Sequence, residues 1–384
     1  MSTVIPNGGS RTSRDTRRSV AIIGSRGYPS FYGGSETLVR KLAPYLAERG
    51  WRVTVYARNR NRKLLLDPGV RTVTTLGIDS RNLSTVTHGA TAALHATWAR
   101  PDVALVLNVA NGFFLPALKL RNIPTVVNVD GIEWERAKWG RLAQTVFHQG
   151  AAASARYADT LVADSREIGL RWKREFGRET RYIPYGGVVE PLLPVPDGLE
   201  HRKYILYVAR FVPENSVEEF FAAVPELATK MNVVIVGSSG YGGRFDEAAK
   251  ILARTYSTVS WTGQISNDER LHGLWQHAGV YFHGHSVGGT NPALVQAMAC
   301  GAPIVARDSA YNREVLTESC GEFVEAVPES IVRTVERLAI SPEVMEGLSN
   351  AAKERAERSY AWEDVCRSYE EVLIETAALA VRQI

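Results

Sequence analysis

SVAIIGSRGYPSFYGGSETLVRKLAPYLAERGWRVTVYA, residues 19–57, decides the fold. Ser19–Gly24 is a short β-branched run with the composition of a buried strand. A glycine-rich loop follows, and then Ser35–Arg49 places Leu38, Leu42 and Leu46 four residues apart, on one face of a helix. Gly50 is a natural helix stop, and Arg52–Ala57 is the next strand. Strand, helix, strand in this order predicts a parallel pair joined by a crossover, the unit of a doubly wound α/β sheet.

The same alternation runs outward through strands at Val103–Leu107, Thr125–Val129 and Thr160–Ala163. It restarts near Tyr185–Gly187. Pro191, Pro194 and Pro196 with Asp197 and Gly198 then read as a linker. Five more strands are predicted at Tyr204–Ala209, Val233–Val236, Val259–Trp261, Val280–His283 and Ile304–Ala306. Helices are expected between them at Val217–Lys230, Arg244–Tyr256, Asp268–Ala278 and Pro292–Ala299, and the tail from Pro342 to Ile384 reads as helical throughout. Two doubly wound domains facing a cleft are therefore expected, with ligands outside the carboxyl ends of the strands.

The 384 residues are 45% hydrophobic and 22% charged, which suits two apolar cores and excludes wholesale disorder. No run of 18 apolar residues occurs, so no membrane span is expected, and the Arg-rich start lacks the apolar core of a secretory signal. Cys300, Cys320 and Cys366 have no metal or disulfide spacing and suit a reducing cytoplasm. Charge is divided. Residues 1–185 carry 28 basic and 14 acidic side chains, a net of +14, and residues 186–384 carry 17 and 27, a net of −10. The basic half suits an anionic partner, whether nucleic acid, an anionic membrane face or a phosphorylated lipid.

Four loops carry candidate chemistry. Gly33 and Gly34 precede a helix, with Ser35 as its expected N-cap; backbone N–H groups there suit a phosphate, or the glycines merely allow positive φ. Arg210 ends the strand YILYVAR, where a guanidinium can clamp a diphosphate or pair with Glu214. HGHSVGGTNP, 283–292, brings a second glycine pair to a helix start, with Thr290 and Asn291 as caps and His283-x-His285 as a conceivable metal pair. NVDGIEW, 128–134, puts Asp130 and Glu133 after a strand, as a base, as orienters of an acceptor hydroxyl, or as first-turn helix residues. No GxGxxG follows a strand, which argues against a nicotinamide dehydrogenase.

Taken together, IIGSRGYPSFYGGSET (22–37), NVDGIEWERAKWG (128–140), YIPYGG (182–187), VARFVPEN (208–215), HGHSVGGTNPALVQAMACGAPIVARD (283–308) and NREVL (312–316) resemble the retaining GT-B glycosyltransferases of family 4. The likeness is greatest to the bacterial polysaccharide rhamnosyltransferase subgroup, through DGIEW, PEN and GHSVGGTNP. The resemblance implies transfer of a hexose, L-rhamnose from dTDP-rhamnose first, or another UDP- or GDP-sugar, to a saccharide acceptor linked to polyprenyl diphosphate. Residues 1–18 would form a disordered basic arm, 19–187 the acceptor-binding domain and 188–358 the nucleotide-sugar domain. Residues 359–384 would form a helix packing back on the first domain. Donor contacts would come from Gly33, Gly34, Arg210, Asn215, Gly237, Ile265, Gly288, Gly289, Thr290, Asn291 and Gln296, and catalytic roles from Asp130, Glu133 and Arg210. The resemblance implies no cofactor, no metal and no nucleic-acid partner. It also implies a cytoplasmic enzyme held peripherally at the anionic inner membrane face.

The chain departs from the family pattern at three of these positions. A lysine follows the clamp arginine by five residues in the wider family, and here that position is Asn215. The E-x7-E glutamates map onto Gly288 and Gln296. An amide at 296 brings a donor where a carboxylate only accepts. These departures leave open a weakly active or inactive sugar-nucleotide- or glycan-binding homologue, and an epimerase or phosphorylase would use a similar cleft.

Overall fold

The computed structural model describes residues 17–30, 33–58, 67–77, 84–136, 139–240 and 242–381. The basic arm expected over 1–18 lies outside these residues except for its last two. The first domain runs β1 (Ser19–Ile23), α1 (Gly34–Glu48), β2 (Arg52–Ala57), β3 (Val70–Thr74), α2 (Ser84–Ala99), β4 (Val103–Leu107), α3 (Leu115–Lys119), β5 (Thr125–Asn128), α4 (Arg141–Tyr157), β6 (Thr160–Ala163), α5 (Arg166–Phe176) and β7 (Arg181–Tyr182). Its seven strands are ordered β3-β2-β1-β4-β5-β6-β7, and every pair is parallel. The residues of β1 show why. Val20 and Ile22 enter one core layer and Ala21 and Ile23 the other, so the strand is apolar on both faces and must be covered on both.

The second domain runs β8 (Tyr204–Val208), α6 (Val217–Leu227), β9 (Asn232–Val236), α7 (Arg244–Thr255), β10 (Val259–Trp261), α8 (Asp268–His277), β11 (Val280–His283), α9 (Pro292–Ala299), β12 (Ile304–Arg307), α10 (Ala310–Val315), β13 (Glu322–Val324) and α11 (Pro328–Ala339). Its order is β10-β9-β8-β11-β12-β13, again parallel. Strand order reverses between β1 and β4 in the first sheet and between β8 and β11 in the second. These are the points where the loops diverge and leave a crevice.

The tail is two helices. α12 (Pro342–Ser359) ends where the carbonyl of Tyr360 accepts the Gly187 N–H at 2.8 Å, and Ala361 bridges to Gly187. α13 (Trp362–Val381) then crosses to the first domain, where Val365, Cys366, Tyr369, Val372 and Leu373 join its core. The proline-rich linker is also pinned. Gln276 accepts from the Leu193 N–H at 2.8 Å and donates to the Pro191 carbonyl at 2.9 Å. Among the described residues no helix is long and apolar enough to cross a membrane.

Candidate functional site

The loops after β8 and β11 flank the second sheet's crevice. Arg210 is exposed there, and no carboxylate among the described residues lies within ion-pair distance of it, so the alternative partner Glu214 is not used. Asn215 is buried and ties the two loops together: its Nδ2 donates to the Arg210 carbonyl at 2.8 Å and its Oδ1 lies 2.6 Å from His285 Nδ1. Because the Asn215 oxygen can only accept, His285 Nδ1 carries the proton and Nε2 keeps a lone pair. Desolvation, followed by the charges of His283, Arg136 and Arg210, pushes the His285 imidazole well below its usual range, so it is neutral at pH 7. The other member of the pair, His283, is pushed down to about 3 by burial, and its Nδ1 lies 2.9 Å from the Tyr281 hydroxyl. Among the described residues no group of three or more His, Cys, Asp or Glu side chains is placed to hold a metal.

Gly288 has φ +97°. Gly289 packs against the Asp164 carboxyl, and the Thr290 hydroxyl donates to the Asp164 carbonyl. Asn291 caps α9, accepting from the Ala293 N–H at 2.9 Å. Gly237, with φ +133°, ends β9 beneath the Arg210 loop, where a side chain would start 1.8 Å from the Ala209 carbonyl. Ile265 packs on the edge of the second domain's core. Gln296 is committed elsewhere. Its Oε1 accepts from the Val188 N–H at 2.9 Å and its Nε2 donates to the Val188 carbonyl at 2.8 Å, a two-way bond that holds the interdomain chain.

On the facing wall, Gly33 rather than Ser35 is the N-cap of α1, and no side chain caps the helix. Ser35 falls in the first helical turn because the chain enters the helix one residue earlier, at Gly34. A side chain at Gly34 would start 3.2 Å from both Pro292 Cγ and the Tyr185 hydroxyl, so the starts of α1 and α9 meet across the cleft. Asp130 is half-buried with φ +57°, and its Oδ2 accepts from Asn108 Nδ2 at 3.3 Å. Its N–H donates to Asn128 Oδ1 at 2.8 Å, while Asn128 Nδ2 donates to Tyr369 of α13 at 2.6 Å. Glu133 is buried and more committed: Oε1 lies 2.7 Å from Arg136 Nε, and Oε2 accepts from Trp139 Nε1 at 2.9 Å.

Three cleft residues were missed by sequence reasoning. Asp164 is 3% exposed, and Oδ1 has no hydrogen-bond partner. Burial first, then Asp130, raises its carboxyl well above the usual range. Glu314, in the quoted NREVL segment but assigned no role, reaches the N-terminus of α5 in the other domain, accepting from Ser165 Oγ and the Arg166 N–H at 2.7 Å each. Arg136 lies between the domains, as described below. The one available signal was position after a strand, as in ADS at 163–165.

The family model described as Glycosyltransferase Family 4 matches residues 32–187, and that described as Glycosyl transferases group 1 matches residues 195–355. No curated protein matches the sequence. Among solved structures, sucrose-phosphate synthase from Thermosynechococcus elongatus superposes with a TM-score of 0.80 at 21% identity, covering 94% of this chain and 100% of that one. Anabaena HepE in complex with UDP and glucose gives 0.74 at 15% identity, covering 93% and 99%. A glycosyltransferase from Rickettsia africae gives 0.70 at 14%, covering 94% and 99%. With one family model over each lobe and this shared architecture, the chain is a two-domain glycosyltransferase of the GT-B class, its first domain of family 4 and its second of group 1.

Proposed function

We propose that the chain transfers a hexosyl group, L-rhamnose from dTDP-rhamnose as first choice, from a nucleotide-sugar to a polyprenyl-diphosphate-linked saccharide, with retention, during cell-surface polysaccharide synthesis. The observation that carries the reading is the meeting of the α1 and α9 starts, so close that a side chain at Gly34 would start 3.2 Å from Pro292 Cγ, beside the crevice edged by Arg210. In the proposed reaction the bond from sugar C1 to the diphosphate oxygen breaks, and the acceptor oxygen bonds C1 on the same face. The acceptor proton passes to the departing phosphate oxygen. Arg210 and the uncapped start of α1 would stabilise the charge growing on that diphosphate, so catalysis is positioning plus electrostatics and draws on no metal. Asp130 would orient the acceptor hydroxyl. The +14 half would bind the anionic inner membrane face.

A UDP-hexose donor is the second reading, because Anabaena HepE, of the same fold, was solved with UDP-glucose. A thermal-shift panel of dTDP-rhamnose, UDP-sugars and GDP-sugars tests both. A ligand at 100 times its Kd stabilises by about 2.7 kcal/mol. A shift with none of them would refute the nucleotide-sugar reading. Arg210→Ala should lower turnover by about 10- to 1000-fold with the fold intact, and unchanged turnover would remove the clamp.

A further inference from the structure

We propose that Arg136, reaching over from the first domain, is a second guanidinium on the donor's diphosphate, so that the anion is gripped from both domains at once. Its position is unusual. A side chain on Gly131 would start 2.8 Å from Arg136 Nη2, and one on Gly288 would start 3.2 Å from the same nitrogen. The guanidinium therefore fills the gap between a first-domain loop and the second domain's loop after β11. Glycine at both positions leaves room for it.

Arg136 is also aimed. Its side chain is only 12% exposed, and Nε faces Glu133 Oε1 at 2.7 Å. The other oxygen of Glu133 is held by Trp139 Nε1 at 2.9 Å. The contact with Glu133 is an ion pair by distance, Nε making no aligned hydrogen bond, and it leaves Nη2 beside Gly288. Glu133 is the one ion-pair partner of Arg136 among the described residues. The groups around that face supply little negative charge to receive it. His285 is neutral, with Nε2 3.5 Å from the same Gly288 position, and it feels both Arg136 and Arg210. Asp164 leans toward its protonated form, although Arg136 pulls the other way, and Asp130 lies near it. Two guanidiniums from opposite domains thus flank an uncharged imidazole at the point where strand order reverses, and an anion is the ligand that fits between them.

The chain's two departures around this spot then belong together. Asn215 stands where a cation is expected and Gly288 where a carboxylate is expected. A glutamate at 288 would enter the volume that Arg136 Nη2 occupies. The positive charge missing from the second domain is supplied by the first. Glu133 becomes a positioning residue for Arg136 rather than the acceptor base.

This inference rests on the nucleotide-sugar reading, and its test separates the two. Binding of dTDP, dTMP, UDP and UMP to the full chain is measured by calorimetry for wild type, Arg136→Gln, Arg136→Lys and Arg210→Ala. For whichever base binds wild type, Arg136→Gln should weaken the diphosphate by about 10- to 100-fold and leave the monophosphate unchanged. Arg136→Lys, which keeps the charge and loses the fork, should fall between. Unchanged diphosphate affinity in Arg136→Gln with a loss in Arg210→Ala would overturn the role of Arg136 and leave the donor reading standing. Equal loss of both nucleotides would overturn it too, since Arg136 would then be a scaffold residue. If wild type bound none of the four, the donor reading and this inference would fall together.

Discussion

Replacing Gln296 by glutamate restores the residue type expected at that position, and the structure predicts that the change is harmful. The amide of Gln296 makes two bonds to one residue, accepting from the Val188 N–H at 2.9 Å and donating to the Val188 carbonyl at 2.8 Å. A carboxylate keeps the first and loses the second, and it sets an anionic oxygen against a carbonyl oxygen. Leaving such an acceptor unanswered costs about 1–3 kcal/mol. Taking about 2 kcal/mol and a shift of roughly 2–4 °C per kcal/mol for units of this size, Tm should fall by about 4–8 °C at pH 8. The sign with pH follows from which form can donate. The protonated acid can bond the Val188 carbonyl, so the new carboxyl's folded-state pKa lies above its unfolded value. The variant is then penalised least below the unfolded pKa and increasingly as pH rises through the folded one. Thermal unfolding of both proteins at pH 5 and pH 8 reads this directly. A Tm equal to wild type at pH 8, or a deficit equal at both pH values, would refute the linker role. A gain in donor affinity with no loss of Tm would return Gln296 to ribose binding.

Three further outcomes are expected. Asp164 has a raised carboxyl, so the folded chain holds its proton more tightly; this stability is present below the unfolded pKa and lost as pH rises through the folded one. Asp164→Asn should therefore show a smaller fall in Tm from pH 5 to pH 8 than wild type, and a parallel fall would count against the raised carboxyl. His283 is the reverse case: pushed down to about 3, it contributes stability above pH 6.5 that is lost as pH falls, about 2 kcal/mol by pH 5. His283→Gln should reduce this acid sensitivity, and an unaltered Tm-against-pH curve would contradict it. Binding to anionic vesicles should weaken steeply between about 50 and 500 mM salt as the Debye length shrinks, and binding indifferent to salt would argue against charge-driven docking of the basic half.

Most of the fold was legible because each buried parallel strand is an uninterrupted apolar run, as VALVL at 103–107 and VYFH at 280–283 are. β3, β7 and β13 were not legible. β3 and β7 are edge strands reading VRTVT and RY, and β13 has three residues at the other sheet's edge. Such strands owe their shape to the neighbour they pair with rather than to their own pattern. At the break in the tail, the Tyr360 carbonyl accepts from Gly187, 173 positions away, a contact that no local pattern announces. The glycine pairs and Arg210 could be found because each follows a strand. Asp164, Glu314 and Arg136 matter only once two separate domains touch, and that geometry is not written in any one stretch of the chain.

The three motif departures become intelligible through the same contrast. Asn215, Gly288 and Gln296 look like losses when each is compared with an expected side chain. In place, each serves a contact that the expected side chain would break. Lysine at 215 could not accept from His285 Nδ1, and it would add a third cation to the Arg136 and Arg210 charges that the imidazole already feels. Any side chain at 288 would meet Arg136 Nη2 in a backbone conformation that favours glycine. Glutamate at 296 could not answer the Val188 carbonyl. Two of the three contacts, at 288 and 296, involve the other domain or the chain that joins the domains. The departures at 288 and 296 are therefore answered by contacts this chain makes between or beside its two domains, and turnover of a nucleotide-sugar by the full chain, lost in Arg210→Ala, would decide against an inactive homologue.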